Sequence, residues 1–219
     1  MSDTLQNKQA LQTTTKNEIA EIKKELKLQA GVLGGAGALL WALELVDTFV
    51  LNQALNAWGV APGKISGLIG VLTMPFLHGG LLHLAANTFP LLFFSWLIML
   101  RDNREWAAVT AASMVTSGVG TWIVGGANSV HVGASGLIFG YFGYLLTIGI
   151  FQRKISSILL SLFIGLGYGG LVFGMFPMTV SSMISWEAHL FGFIGGVFSA
   201  WAINRRTKGG KRRLLEGGI

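Results

Sequence analysis

The sequence contains no cysteine and very little charge. Only 12% of its 219 residues are charged and 52% are hydrophobic, whereas a soluble domain carries about 25% charged residues. The absence of cysteine excludes disulfide bonds, thiolate metal sites and a cysteine nucleophile. The scarcity of charge excludes a water-soluble surface, so the expected solvent of this chain is the lipid bilayer.

The net charge of +6 does not indicate nucleic acid binding. The sequence has no basic stripe with interleaved aromatic residues, and its lysines and arginines flank the apolar runs instead. We therefore expect the lipid bilayer as a partner and no nucleic acid.

The first 29 residues are polar and lack the apolar core and small-residue cleavage site of a signal peptide. We expect residues 1–29 to be a cytoplasmic arm of the mature chain. Ile19, Ile22 and Leu26 share one helical face among charged neighbours, which predicts a short amphipathic helix that is solvated or lies on a surface. At the other end, residues 205–219 are expected to form a basic cytoplasmic tail.

Charge-free runs divided by glycine, proline and charged residues predict an all-α membrane protein, a polytopic bundle of six transmembrane helices over residues 30–204. The predicted spans are 30–51, 81–100, 106–124, 135–151, 157–174 and 187–204. Residues 52–80 contain Pro75, Gly79 and Gly80, so we expect a loop that packs on the bundle instead of crossing the membrane.

The basic residues predict the orientation of these spans. With six spans, fifteen of the sixteen lysines and arginines lie on one side, and only Lys64 lies opposite. Because cytoplasmic loops are enriched in lysine and arginine, both termini are expected in the cytoplasm. The fifteen are Lys8, Lys16, Lys23, Lys24, Lys27, Arg101, Arg104, Arg153, Lys154, Arg205, Arg206, Lys208, Lys211, Arg212 and Arg213.

Four polar residues are predicted to share one depth in the bilayer. His83 and Asn87 begin the second span, Ser135 begins the fourth and His189 begins the sixth, and all three spans run from outside to inside. Polar residues within a membrane are costly and usually mark function. The arrangement brings a nucleophile, a base and two polar donors to one level, as a catalytic site requires.

Small residues surround the candidate serine and continue along the fourth and sixth spans. Small neighbours expose a hydroxyl, and small-residue stripes allow two helices to pack closely. The glycines expected to pack near the site are Gly133, Gly136, Gly192 and Gly196.

Other ionisable residues offer weaker candidates. Glu187 lies two residues before His189, so on a helix it should point away, and no acid obviously completes a triad. We expect Glu44 and Asp47 at the bundle edge or the membrane interface.

Two further histidines leave alternatives open. His131 lies four residues before Ser135 and is an alternative base, although a loop should hold it less firmly than a packed helix. His78 is expected to support the loop or the oxyanion region by hydrogen bonding.

Three segments, in order, resemble the motifs of rhomboid proteases. They are His78-Gly-Gly-Leu-Leu-His83-Leu-Ala-Ala-Asn87, Gly133-Ala-Ser135-Gly136 and Ala188-His189-Leu-Phe-Gly192-Phe-Ile-Gly-Gly196. The resemblance covers about residues 40–204 and is to the minimal six-span bacterial type. It implies an intramembrane serine endopeptidase that cleaves transmembrane segments near the outer face of a bacterial cell membrane, without cofactor or metal.

The resemblance also implies roles for individual residues. Ser135 would be the nucleophile and His189 its general base and acid, acting as a dyad. His83 and Asn87 would donate to the oxyanion, together with the Ser135 amide. The chain departs from the family where Phe139 stands in place of a tyrosine that several members carry, and where the first loop lacks a Trp-Arg pair.

The sequence leaves two other functions open. The first alternative is a rhomboid-like protein without protease activity that binds transmembrane helices, and the second is a small transporter. A transporter would more naturally show repeated halves or charges near mid-membrane, and the sequence shows neither. Oligomeric state and physiological substrate are not encoded in any recognisable motif.

Overall fold

The computed structural model describes the backbone of residues 2–181 and 184–216 and the side chains of residues 15–181 and 184–206. The chain divides into two units, residues 1–38 and residues 39–219. All features discussed below, except the first part of the first helix, belong to the second unit.

The described backbone is helical and contains no β-strand. Seven α-helices are α1 (Ser2–Phe49), α2 (Gly70–Thr73), α3 (Leu81–Met99), α4 (Asn103–Val124), α5 (Ser135–Gln152), α6 (Ile155–Tyr168) and α7 (Trp186–Glu216). Short 3₁₀ helices cover Ala54–Trp58, Ile65–Ile69, Met74–Phe76 and Gly169–Met175.

Five helical segments of the described chain are long and apolar enough to cross a membrane. They are Thr15–Phe49, Leu81–Met99, Asn103–Val124, Ser135–Gln152 and Ile155–Met175. They coincide with the first five predicted spans to within a few residues, apart from the longer first segment. α7, which contains the predicted sixth span, is not among them, and its first turn carries the polar Glu187 and His189. The sixth span therefore stays a prediction.

The predicted arm and the first span form one continuous helix, α1. Residues 15–29 are rich in helix-forming lysine, glutamate, leucine and glutamine, and no proline interrupts them. Ile19, Ile22 and Leu26 are exposed along this helix. The boundary predicted at residue 29 thus has no counterpart in secondary structure, and the division into arm, protease domain and tail stays a prediction. The tail side chains beyond Arg206 lie outside the described residues.

α5 is the central helix of the second unit and packs against α7 through glycines. A methyl group on Gly192 would overlap the backbone of Gly136, and one on Gly196 would overlap the backbone of Gly140. Only glycine permits so close an approach of two helix backbones. Because of this contact, the first turn of α7 lies beside the first turn of α5.

The loop after α1 is fixed by two buried acids. Glu44 and Asp47 are each 2% exposed, so the expectation of a bundle-edge position was wrong, whereas a position at the membrane interface stays a prediction. The Glu44 carboxylate accepts from Thr48, and the Asp47 carboxylate accepts from the Leu55 amide at 2.9 Å. Burial of these carboxylates is tolerated because Thr48 and the Leu55 amide donate hydrogen bonds to them.

Candidate active site

Ser135 and His189 meet at the contact between α5 and α7. Nε2 of His189 lies 2.9 Å from Oγ of Ser135, although 54 residues separate them in the chain. Ser135 is the first residue of α5, and His189 lies in the first turn of α7. The His189 side chain is buried, whereas Ser135 is half-buried. The two residues therefore form a hydrogen-bonded pair at the helix starts.

The protonation pattern of His189 follows from its second contact. Nδ1 of His189 lies 2.8 Å from the carbonyl oxygen of Gly174. A carbonyl oxygen only accepts, so Nδ1 carries the proton and the lone pair of Nε2 faces Ser135. Ser135 can then donate its hydroxyl proton to Nε2. This is the tautomer that a histidine base requires, and here a backbone carbonyl orients it instead of a carboxylate.

The turn before Ser135 depends on Gly133. Gly133 has φ +122°, a backbone conformation that favours glycine, and a methyl group there would lie 2.8 Å from Nε2 of His83. The turn therefore brings the side of α3 that carries His83 against the start of α5. The first amides of α5 lack partners within the helix, as at every helix start.

His83 and Asn87 lie on this face of α3. Nδ1 of His83 accepts a hydrogen bond from the Gly79 amide at 3.3 Å, so Nε2 of His83 carries the proton and points towards Gly133. Nδ2 of Asn87 is buried and has no hydrogen-bond partner among the described residues. A buried donor without a partner costs about 1–3 kcal/mol, which is more often tolerated at functional sites than elsewhere.

A cavity of about 1080 Å³ joins these residues. Its lining includes His83, Asn87, Ser135 and His189, together with Leu171 and Glu187. The space is large enough for a short extended peptide and for water. His83, Asn87, Ser135 and His189 thus line a common volume. Among the described residues, no group of three or more His, Asp or Glu side chains could hold a metal ion.

His131 is engaged away from the pair. Its Nε2 lies 2.7 Å from Oγ of Ser129, and its Nδ1 lies 2.8 Å from Oγ of Ser185. Burial lowers the pKa of His131, and the Glu187 carboxylate acts in the opposite direction. The ring of His131 is thus held at both nitrogens, although it lies in a loop.

His78 lies beneath the turn that leads to Ser135. Its side chain is 0% exposed, and its Nε2 accepts from the Ala134 amide at 3.4 Å. Burial, with a smaller effect of the neighbouring His83, lowers the pKa of His78 to about 4. The hydrogen-bonding support predicted for His78 is thus observed.

Sequence patterns did not single out Gly174 or Ser185. Gly174 belongs to a 3₁₀ helix that begins after α6 and reaches His189 only through the tertiary fold. Phe139 was noted as a departure from the family, and its ring stacks on that of His189. Glu187 accepts from Ser185 at 3.2 Å and, within the described part of the chain, makes no hydrogen bond or ion pair with His189.

Comparison with known proteins identifies relatives over most of the chain. A family model described as the Rhomboid domain matches residues 65–206. An uncharacterized protein of Mycobacterium tuberculosis is 37% identical over 185 residues, which cover 82% of this chain and 76% of the relative. Rhomboid protease GluP of Bacillus subtilis is 31% identical over 195 residues, which cover 80% of this chain and 35% of that protein. Rhomboid-like protein 11 of Arabidopsis thaliana is 30% identical over 151 residues, which cover 61% of this chain and 52% of that protein.

Proposed function

The chain belongs to the rhomboid family, and from this premise we propose that it is an intramembrane serine endopeptidase that cleaves transmembrane segments of membrane proteins. Membership of the family implies intramembrane protease activity. The proposal adds that Ser135 is the nucleophile and that His189 is the general base and acid.

The observation that carries the proposal is the hydrogen bond between Ser135 and His189 at 2.9 Å. A serine hydroxyl is a weak nucleophile until a base accepts its proton. His189 has its Nε2 lone pair directed at that proton, because Gly174 accepts from Nδ1. Both requirements of general base catalysis, reach and the correct tautomer, are therefore met.

The chemistry proceeds in two steps. Oγ of Ser135 attacks the peptide carbonyl while Nε2 of His189 accepts the hydroxyl proton. His189 then donates that proton to the leaving amine, and an acyl-enzyme forms. A water molecule subsequently attacks the ester while Nε2 of His189 accepts one of its protons. His189 then donates that proton to Oγ of Ser135 as the ester bond breaks, which releases the carboxyl product and free Ser135. The wide cavity beside the pair gives water room to enter.

Stabilisation of the oxyanion is assigned to three donors. They are Nε2–H of His83, Nδ2–H of Asn87 and the backbone amide of Ser135. Among the described residues, Asn87 Nδ2 has no hydrogen-bond partner, which supports this assignment, because an oxyanion supplies the acceptor only during the reaction. A donor of this kind contributes about 10²–10³ in rate.

The orientation belongs to the same proposal. Six spans, with α7 as the sixth, put both termini in the cytoplasm and the pair near the outer membrane face. The substrate segment must locally leave its helical conformation, since a backbone carbonyl inside an intact helix is inaccessible to Ser135. We propose a bacterial cell membrane as the location, in keeping with the bacterial relatives.

Covalent labelling tests the function directly. The purified protein in lipid is treated with a fluorophosphonate, and the labelled peptide is identified by mass spectrometry. We expect the label on Ser135 and its loss in Ser135→Ala. In parallel, Ser135→Ala, His189→Ala and the double variant are assayed on a transmembrane substrate. Each should be inactive, with the double variant little worse than either single variant.

The result that would overturn the proposal is a folded wild-type protein that takes no label and leaves bound substrate helices intact. Such a protein would be a rhomboid-like binder of transmembrane helices. If His131→Ala abolishes turnover while His189→Ala retains it, the base has been assigned to the wrong histidine.

A further inference from the structure

A second set of hydrogen bonds lies beside the proposed catalytic pair and shares no atom with it. Oγ of Ser129 lies 2.7 Å from Nε2 of His131, and Nδ1 of His131 lies 2.8 Å from Oγ of Ser185. Oγ of Ser185 in turn lies 3.2 Å from a carboxylate oxygen of Glu187. All four residues line the cavity, but none has a role in the mechanism above.

The position of this set in the chain relates it to both members of the pair. His131 precedes Ser135 by four residues, and Ser185 precedes His189 by four residues. The hydrogen bond between His131 and Ser185 therefore connects the segment leading into α5 with the segment leading into α7. A change in this link would move the two helix starts relative to each other.

Each end of the link is anchored to the fold. Oγ of Ser185 accepts from the Ala188 amide at 3.3 Å, which makes Ser185 the N-cap of α7. The backbone of His131 exchanges two hydrogen bonds with Val60, each of 2.9 Å. Movement of either side chain is thus transmitted to the backbone beside the pair.

Counting protons shows which nitrogen of His131 carries hydrogen. Ser185 has a single hydroxyl proton, and Glu187 as a carboxylate can only accept, so that proton goes to Glu187. Oγ of Ser185 must then accept from His131, which requires a proton on Nδ1 of the imidazole. At the other end, Ser129 also lies 2.6 Å from the Gly126 carbonyl and can donate either to that carbonyl or to Nε2.

The alternative proton order is less favourable. If Nε2 of His131 carried the proton, Ser185 would have to choose between His131 and Glu187, and one buried contact would lose its proton. A hydrogen bond to a carboxylate is about twice as strong as a neutral one, and Glu187 is only 7% exposed. With the proton on Nδ1, the one acceptor left without a proton lies next to Ser129. This costs less, because Ser129 is half exposed and water can donate there.

We propose that Glu187, Ser185 and His131 form a positioning network that sets the separation of Ser135 and His189, with the carboxylate of Glu187 holding His131 in its Nδ1–H tautomer through Ser185. This inference rests on the proposed function for its effect on catalysis, but the proton order does not. Positioning residues of this kind affect the chemical step more than substrate binding, because small displacements of reacting groups are costly.

The proton order is tested first, in the full-length protein and without any assay of proteolysis. Imidazole ¹⁵N shifts of His131 are measured in lipid at neutral pH, and His131→Gln assigns the signals. We expect protonated Nδ1 and unprotonated Nε2 in the wild type. In Glu187→Gln the amide can donate to Ser185, which frees the Ser185 proton for Nδ1, so His131 should change to the Nε2–H tautomer.

An Nε2–H tautomer in the wild type, or an unchanged tautomer in Glu187→Gln, would overturn the proposal. This outcome is independent of whether the protein proves to be a protease. An inactive wild-type protein with the expected tautomers would instead contradict the proposed function and with it the catalytic effect of the network.

The catalytic effect is tested with variants of Ser185. Ser185→Ala removes both the cap and the link and should lower kcat about tenfold with KM nearly unchanged. Ser185→Thr retains a hydroxyl that can cap the helix and should recover most of the activity. The matched control is Ser199→Ala, which removes a buried hydroxyl of the same helix that donates only to Gly195 in its own turn.

A purely structural role would give a different pattern. In that case, Ser185→Ala and Ser199→Ala would lower the melting temperature and the activity in the same proportion. Equal losses in these two variants, or no recovery in Ser185→Thr, would reject the positioning role.

Discussion

The ring of Phe139 lies flat against the ring of His189, with centroids 4.0 Å apart and planes 7° apart. This contact limits rotation of the imidazole while Gly174 holds its Nδ1. The aromatic face, not a hydroxyl, is what the histidine contacts. The family departure at this position therefore preserves the stacking surface.

Phe139→Leu should lower turnover by about threefold to tenfold. An aromatic pair contributes about 0.5–1.5 kcal/mol beyond its buried area, and leucine keeps most of the volume but loses the stacking face. The control is Phe142→Leu on the same helix, which is also buried but contacts Phe193 instead of His189. It should lower the melting temperature with little change in kcat. Equal kinetic effects of the two variants would contradict the positioning by Phe139.

Asn87→Ala should lower turnover by about 10²–10³ with little change in KM, since the donor acts on charge present only in the transition state. Because Nδ2 of Asn87 has no partner among the described residues, its removal should not lower the melting temperature. His83→Ala should also lower turnover with little change in KM, because it too removes one of the three proposed donors. Turnover and melting temperature of both variants and of the wild type, measured in the same detergent, separate a catalytic loss from unfolding. Full activity of both variants, or losses explained by unfolding, would refute the oxyanion assignment.

Gly196→Ala and Gly192→Ala should each destabilise the protein by about 1–3 kcal/mol, the usual cost of overpacking. The added methyl groups would overlap the backbones of Gly140 and Gly136 and push α7 away from α5. Gly167→Ala in α6 is the control, because no atom in the described part of the chain lies within 4 Å of its Cβ position, and alanine favours helix over glycine by about 1 kcal/mol. Unfolding in a denaturant series measures all three. Stability of Gly196→Ala equal to wild type would contradict the close packing.

Acid should destabilise the protein through His78. Its pKa is lowered to about 4 in the folded protein, whereas an unperturbed histidine has a value of about 6.5. The stabilising effect of the neutral form is complete above pH 6.5 and is lost progressively as the pH falls towards 4. Melting temperatures between these limits measure the loss. His78→Gln can still accept from the Ala134 amide without titrating, so its profile should be flatter. An identical profile would contradict the role of His78.

The orientation can be tested with introduced cysteines, since the chain has none of its own. Ala127 and Ser156 are both exposed. Ala127 lies in the turn before α5, and Ser156 is the second residue of α6, beyond the opposite end of α5. In intact cells, Ala127→Cys should react with an impermeant thiol reagent added outside, whereas Ser156→Cys should react only after lysis. The reverse pattern would overturn the proposed orientation and the outer location of the site.

The sequence by itself determined the solvent, the family and the candidate residues. A chain with so few charges must bury its helices in lipid, and backbone groups in lipid must be satisfied within helices. The rhomboid family predicted from three short segments is confirmed by the family match over residues 65–206. Ser135, His189, His83 and Asn87 were chosen as candidates because polar groups in apolar segments are rare and costly; their roles stay predictions.

The tertiary structure alone decided how those residues are held. The tautomer of His189 depends on the Gly174 carbonyl, and the link from His131 to Ser185 crosses 54 residues of chain. No sequence motif marks either contact, because every residue has a backbone carbonyl and serine is common at helix starts. Burial of Glu44 and Asp47 was likewise unpredictable, since it depends on where the chain turns after α1. Hydropathy reports which segments avoid water, whereas hydrogen-bond partners are set by contacts between segments distant in the chain.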